Sequence, residues 1–222
     1  KKSDTKTFSV PLAIEDVKDE SVGSIQKTSN LSKKELINLA FNYHGQGNIQ
    51  QALIYYQEFI NQGYVDLAVF SNYGVILREL GKLEEAELFT RKAIELQPNF
   101  GNAYCCLGNI LRDLRKLDEA QVCFQKAMEL QPREFSAFYN LGNIFIELGK
   151  LKEGELLIRK AIELNPSYEM AYLSLGNILC NLEKLEEAEI ATRKAIELQP
   201  NLVTANYNLG IILKKLDKLA EA

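Results

Sequence analysis

Few side chains in this sequence could do catalytic chemistry. The chain has one histidine, His44, and four cysteines, which are Cys105, Cys106, Cys123 and Cys180. No two of these cysteines have C-x-x-C spacing, and one histidine adds too few ligands to complete a zinc site. The sequence also lacks glycine-rich phosphate-binding motifs and the H-E-x-x-H motif. We therefore predict no enzyme activity, no catalytic residues, no metal and no cofactor, and interpret the cysteines as reduced, small apolar residues.

The composition indicates a folded protein with no affinity for nucleic acid. Hydrophobic residues make up 46% of the 222 residues and charged residues 25%, which is enough apolar material for a sizeable core. The net charge of -4 argues against nucleic-acid binding, which needs clustered Lys and Arg. No segment approaches the roughly 20 apolar residues of a membrane span, and the first residues lack the apolar core of a signal peptide. We expect a cytoplasmic protein with neither nucleic-acid nor membrane partners.

A repeat of 34 residues is the strongest signal in the sequence. Four prolines are 34 residues apart, each ending a segment such as A-I-E-L-Q-P: Pro98, Pro132, Pro166 and Pro200. Five glycines follow the same step: Gly74, Gly108, Gly142, Gly176 and Gly210. The predicted units are residues 33–66, 67–100, 101–134, 135–168 and 169–202, with a partial unit at 203–222.

Each unit is predicted to form two antiparallel helices joined by a short turn. Apolar residues recur at helical spacing within a unit, with a break near residues 114–116. Gly108 and Ala120 are expected where the two helix backbones approach most closely, and Pro132 is expected to end the second helix. Paired glutamates such as Glu84 and Glu85 recur at the start of the second helices, where they favour the helix dipole rather than catalysis.

These residues resemble the tetratricopeptide repeat (TPR) family. The family pattern is an aromatic residue, Leu-Gly, an apolar residue, Ala, an aromatic residue, Ala and Pro. The third unit matches it throughout with Tyr104, Leu107, Gly108, Leu111, Ala120, Phe124, Ala127 and Pro132. The resemblance covers residues 33–222 and implies an all-α fold, a right-handed superhelical α-solenoid of antiparallel helix hairpins.

Several positions depart from the family pattern. The first unit has Tyr64 in place of the proline and Ala40 in place of the glycine, and Gly154 replaces the usual alanine. Three of the turns inside the hairpins lack glycine and have Arg115, Glu183 and Asp217 instead. A left-handed backbone at these residues would cost about 1–2 kcal/mol each, so we predict that these turns are weak points.

The two ends of the chain differ from the repeats. Residues 1–32 are predicted to be an N-terminal extension that is disordered or loosely packed, with docking of residues 8–17 on the first hairpin or on a neighbouring molecule as the alternative. Ser32 and Glu35 are expected to form a capping box at the start of the first helix. Since residue 222 lies just inside the second helix of the sixth unit, we expect further sequence to follow.

The resemblance places positions 2, 5, 6, 9, 12 and 13 of each unit on a concave groove formed by the first helices. Polar, basic and aromatic residues at these positions are the candidate peptide-binding residues: Asn72, Asn109, Asn140, Asn143, Asn177, Asn208, Arg78, Arg112, Tyr139 and Tyr207. Asparagine amides suit an extended peptide backbone, because they offer both donors and acceptors. The alternative is that the asparagines cap or cross-link neighbouring helices and that the tyrosines pack against their neighbours.

The predicted function is a scaffold that binds a polypeptide segment in this groove. One alternative is a substrate-recruiting arm of a larger enzyme (a glycosyltransferase, sulfotransferase or oxygenase), because the asparagine-lined helices resemble the repeat arm of O-linked N-acetylglucosamine transferases. A second alternative is self-assembly into a homo-oligomer through the terminal repeats.

Overall fold

The computed structural model describes residues 31–216, and this part of the chain contains helices and turns but no strand. The eleven helices are α1 (Lys33–Gly45), α2 (Ile49–Asn61), α3 (Leu67–Glu79), α4 (Leu83–Leu96), α5 (Gly101–Asp113), α6 (Leu117–Leu130), α7 (Phe135–Glu147), α8 (Leu151–Leu164), α9 (Glu169–Asn181), α10 (Leu185–Leu198) and α11 (Val203–Lys215). The prediction of an all-α fold of helix hairpins is confirmed for these residues. Residues 1–30 of the predicted extension (1–32) and the turn residue Asp217 lie outside the described residues.

Glycine lets the two helices of a hairpin meet. A Cβ atom added to Gly108 in α5 would lie 2.7 Å from Cε1 of the Phe124 ring in α6. In the next hairpin, a Cβ atom on Gly142 would lie 2.9 Å from Cδ1 of Ile158. These distances are shorter than a carbon–carbon contact, so a side chain at either glycine would force the helices apart. Ala120, the small residue expected on the opposite helix, is fully buried.

Proline ends the second helix of a hairpin by acting on the residue before it. Helix α6 ends at Leu130, and the intervening Gln131 has left the helical region, with φ -135° and ψ 72°. A residue that precedes proline disfavours helical dihedral angles, because its own backbone would clash with the proline ring. The second helices α4, α8 and α10 end two residues before Pro98, Pro166 and Pro200 in the same way.

The turn inside each hairpin is left-handed whether or not it has glycine. Gly47, Gly81 and Gly149 have φ values between 72° and 74°, and the equivalent Arg115 and Glu183 have φ values of 62° and 57°. These two non-glycine residues therefore adopt the left-handed conformation, and the weakness of their turns stays a prediction. Their backbone strain is a consequence of closing the same turn without glycine.

The first hairpin uses a glycine where the other hairpins use proline. Gly63 has a φ of 75°. The amide of the following Tyr64 donates to the Phe59 carbonyl at 3.2 Å, which is the hydrogen bond that closes a helix with a left-handed glycine. The start of this hairpin is as predicted, since Ser32 and Glu35 form both hydrogen bonds of a capping box.

The hairpins stack so that each second helix packs between the first helix of its own unit and that of the next. The first helices α3, α5, α7, α9 and α11 also contact one another in succession, whereas second helices contact mainly first helices. The units are therefore closest together on the side of the first helices. This arrangement gives a solenoid whose inner wall is formed by the first helices, and it brings the predicted groove residues onto one surface.

Candidate peptide-binding groove

Side-chain amides on successive first helices are linked across the inner wall. Asn208 of α11 donates from Nδ2 to Oδ1 of Asn177 of α9 at 2.6 Å. One unit earlier, the Ser174 hydroxyl donates to Oδ1 of Asn143 of α7 at 3.2 Å. Both pairs join position 9 of one unit to position 6 of the next. In these two pairs, Asn143 and Asn177 accept a hydrogen bond from the following unit, and Asn208 donates one.

The arginines of the inner wall belong to a cluster centred on Asp113. Arg78 Nε donates to Asp113 Oδ2 at 2.6 Å, and Arg112 Nε lies 3.8 Å from the other carboxylate oxygen. Arg112 also donates to Oδ1 of Asn140 on the next first helix at 3.4 Å. Arginine has five N–H donors, so Arg78 and Arg112 keep donors beyond those that face Asp113 and Asn140. A partner group with partial negative charge, such as a peptide carbonyl, would be attracted to these donors.

Asn72 lies at the beginning of the wall beside two buried or half-buried rings. The Tyr56 hydroxyl is 3.1 Å from Nδ1 of His44 and also contacts the Asn72 amide. Burial raises the pKa of Tyr56 to about 12, and the hydrogen bond with Asn72 acts in the opposite direction. The phenol is therefore neutral at physiological pH, and Asn72 is tied to the hairpin core. Asn109 lies half-buried on α5, at the position that Asn143 and Asn177 occupy in later units.

The two predicted tyrosines have different environments. Tyr139 is half-buried, and its ring meets Tyr168 edge-on with 5.0 Å between centroids. Phe135 packs on the same Tyr168 ring at 4.9 Å. Tyr139 therefore packs against the start of the next hairpin and keeps part of its surface exposed, and its role in peptide binding stays a prediction. Tyr207 stands at the same repeat position in α11, which is the last described helix, and its binding role stays a prediction.

Acidic and basic side chains at the ends of the first helices are paired between units. Arg115 donates to Glu147 at 2.8 Å, and Lys215 donates to Glu183 at 3.2 Å. These partners are 32 residues apart, so both pairs connect the end of one first helix to the next unit. The rim of the wall therefore has mixed charge and shows no single sign that would select an acidic or a basic partner.

Two other kinds of site are absent from the described residues. No group of three or more His, Cys, Asp and Glu side chains within residues 31–216 is placed to hold a metal ion. In the same range, no helix has the length and apolar character to cross a membrane.

Family models match most of the hairpins. The model of the middle TPR-like domain of cilia and flagella-associated protein 70 matches residues 36–137, and two tetratricopeptide repeat models match residues 107–169 and 157–190. The chain belongs to the TPR family. No curated protein sequence matches the TPR chain significantly.

Solved TPR structures agree with this assignment. PilF of Pseudomonas aeruginosa is 17% identical, with a TM-score of 0.73 over 85% of this chain and 87% of its own. MamA of Desulfovibrio magneticus RS-1 is 22% identical, with a TM-score of 0.67 over 77% of this chain and 96% of its own. YrrB, described as a TPR protein with an unusual peptide-binding site, is 27% identical, with a TM-score of 0.60 over 73% of this chain and 84% of its own. The TPR array described here is thus a protein-interaction scaffold in its architecture.

The structure adds wall residues that the sequence analysis did not select. Ser174, Asp113 and Tyr168 hold the predicted residues in place. A signal for the polar pairs was present in the sequence, because residues 31 apart are one repeat forward and one helical turn back. That spacing joins Asn143 to Ser174, and Asn177 to Asn208.

Proposed function

We propose that this TPR array binds an extended segment of another polypeptide along the wall formed by its first helices. The observation that carries the proposal is the series of side-chain amides held in place by hydrogen bonds between units. An asparagine amide has two N–H donors and an oxygen with two lone pairs, so one hydrogen bond between helices leaves capacity for a partner. Asn143 and Asn177 each use their oxygen once in this way.

The hydrogen bonds between units also favour binding by fixing the side chains beforehand. A peptide that meets an ordered asparagine does not need to immobilise it, so more of the interaction energy remains as affinity. Each peptide hydrogen bond contributes about 0.5–1.5 kcal/mol net, and several are needed for a measurable complex. An array of successive units supplies them at regular intervals along the wall.

The chemistry of the wall favours recognition of the peptide backbone over recognition of charge. Its basic residues are already shared with Asp113, and the pairs at its rim have both signs. The description of YrrB as a TPR protein with a peptide-binding site supports the same kind of partner for this chain.

The test begins with peptides selected from a random display library on the full chain. The triple variant Asn140→Ala, Asn143→Ala and Asn177→Ala is expected to bind the selected peptides at least about tenfold more weakly, since a few hydrogen bonds are lost. Asn99→Ala is the matched control, because Asn99 is exposed between α4 and α5 and away from the wall. Circular dichroism of each variant shows whether the array is still folded.

Backbone methylation of the peptide separates backbone recognition from side-chain recognition. Replacing single peptide N–H groups by N–CH₃ removes donors and keeps the peptide sequence. We expect several methylated positions to lose affinity for the wild-type chain and to lose little for the triple variant. Equal binding of the triple variant and the control would refute the proposal.

A further inference from the structure

Helices α4 and α10 are nearly the same sequence in two different units. Their sequences are LEEAELFTRKAIEL and LEEAEIATRKAIEL, so they differ at two of fourteen positions. At one, Leu88 corresponds to Ile190, which is a small change of shape. At the other, Phe89 corresponds to Ala191, which removes an aromatic ring. The two helices therefore show how phenylalanine and alanine are accommodated at the same position of a hairpin.

In the second unit, the ring at this place is enclosed by other aromatic rings and a lysine. Phe89 is 3% exposed, and its centroid lies 4.9 Å from Tyr73 and 5.8 Å from Phe70 of α3. Nζ of Lys92 lies 4.8 Å from the Phe89 centroid, within the range of a cation–π interaction. This environment is specific for an aromatic side chain, because the ammonium group faces the negative face of the ring.

In the fifth unit, the same place opens into a cavity. A cavity of about 840 Å³ lies between α8, α9 and α10, with Leu175, Leu179 and Ala191 among its apolar lining residues. Tyr172 and Lys194, which also line it, stand at the repeat positions of Phe70 and Lys92. The fifth unit thus keeps the lysine and one of the two aromatic neighbours of Phe89, and it has Leu175 where the second unit has Tyr73. The ring itself is replaced by the methyl group of Ala191.

The lysines at this repeat position show how the environment responds to a ring. Lys126, Lys160 and Lys194 each donate to a glutamate three residues later, at 2.7–2.8 Å. The residues that correspond to Phe89 in these helices are Cys123, Leu157 and Ala191. Where the ring is present, Lys92 lies over it. Since ion pairs at the surface contribute little to stability, Lys194 can exchange its partner Glu197 for an aromatic face at small cost.

We propose that the cavity beside Ala191 is a second binding site, which takes an aromatic side chain projecting from a partner protein. The ammonium group of Lys194 complements the negative face of the incoming ring, as Lys92 does for Phe89. Charged side chains that line the cavity form ion pairs, as Arg159 does with Glu187 at 2.7 Å. The partner residues on either side of the bound aromatic ring can therefore be uncharged. The cavity lies on the opposite side of α9 from Asn177, and the site is independent of the proposed groove.

The site can be tested with the smallest form of the proposed ligand. The probe is N-acetyl-phenylalanine methylamide, followed by methyl NMR of the full chain with labelled alanine, isoleucine and leucine. We expect saturable shifts of the Ala191, Ile190 and Leu179 methyl signals, and at least about tenfold weaker binding of N-acetyl-leucine methylamide. Equal affinity for the two probes would overturn the assignment to an aromatic ligand, and shifts that do not saturate would overturn the site.

Variants connect the shifts to the cavity. Ala191→Phe supplies the ring from the chain itself and is expected to abolish binding of the phenylalanine probe. It is expected to fold, because α4 already has this residue at the same position. Ile190→Leu reproduces the other difference between α4 and α10, and is the matched control that keeps binding.

A second variant keeps the test decisive if Ala191→Phe disturbs the fold. Lys194→Gln removes the cation. We expect the affinity for the phenylalanine probe to fall about two- to fivefold and the affinity for the leucine probe to stay unchanged. An unchanged affinity of the phenylalanine probe for Lys194→Gln would contradict the proposed role of the lysine. Unchanged binding to folded Ala191→Phe would contradict the site itself. The outcome of the groove experiments does not affect either result.

Discussion

Exchanging the residue that most distinguishes α4 from α10 should change stability in opposite directions in the two units. Phe89→Ala removes a ring that is 3% exposed and contacts two other aromatic rings. Changes of this type cost about 3–5 kcal/mol, from lost burial and from the cavity left behind. Domains of this size have about 5–15 kcal/mol of stability in total, so the second unit should be strongly weakened.

The reverse change, Ala191→Phe, should stabilise the fifth unit by a smaller amount. Burying a phenylalanine side chain is worth about 1.5–3 kcal/mol. Ordering the side chain costs up to about 1 kcal/mol, and the open side of the cavity leaves part of the ring exposed. The expected gain is therefore about 1 kcal/mol. The asymmetry between loss and gain follows because Phe89 is enclosed on all sides and a ring at residue 191 would not be.

Urea unfolding followed by circular dichroism measures both changes. The midpoint should fall for Phe89→Ala and rise for Ala191→Phe, with a similar slope if the mechanism of unfolding is unchanged. The two effects should add in the double variant, because two complete units separate the sites. A midpoint for Ala191→Phe below that of the wild type would show that a ring does not fit beside Tyr172 and Lys194, and would refute the comparison of the two units.

Three further changes test the hairpin geometry. Gly108→Ala should destabilise the chain by about 1–3 kcal/mol relative to Gly45→Ala, because the new methyl group meets a ring at 2.7 Å in the first case and nothing within 4 Å in the second. An equal shift of the urea midpoint in Gly108→Ala and Gly45→Ala would contradict the close approach of the helices at Gly108. Glu183→Gly should raise the free energy of unfolding by up to about 1 kcal/mol through relief of a left-handed φ of 57°, which gives a higher urea midpoint. A lower midpoint would show that the turn is unstrained. Burial raises the pKa of Cys123 to about 11, above roughly 8.5 in an unfolded chain. Stability should therefore fall between these two pH values, because the unfolded thiol ionises first, and urea midpoints of Cys123→Ala should fall less over the same range.

The hairpins were predictable because their determinants are local and recur. The step of 34 residues located the units, and Gly108 with Ala120 located the close approach of the two helices. The ends of the second helices followed from the restriction that Pro132 places on Gln131. Gly63 was missed because the proline pattern was the only helix-end signal considered for the first unit, whereas a left-handed glycine ends that helix equally well.

The pairing of the wall residues was less predictable because it depends on the rotation between units. The repeat positions do not determine which asparagine forms a hydrogen bond with which neighbour. In the structure, Asn143 accepts a hydrogen bond from the Ser174 hydroxyl and not from another amide. The ring contact of Tyr139 is with Tyr168, which lies in the connection between two hairpins. Such contacts join residues about 30 positions apart, and small differences in stacking angle decide them.

The cavity beside Ala191 shows how an array of equal units can acquire a site at one place. Hairpin closure is set by the small residues at the close approach, and these do not include residue 191 or its counterparts Phe89, Cys123 and Leu157. Phe89 packs on the first helix of its own unit and lies away from the turn, the helix ends and the closest approach of the two helices, so the volume of the residue at this place can change without altering them. A reduction from phenylalanine to alanine then costs stability in one unit only, since units contact only their neighbours. The same independence lets the inner wall vary at positions 6 and 9, and the two surfaces can therefore bind different ligands on one scaffold.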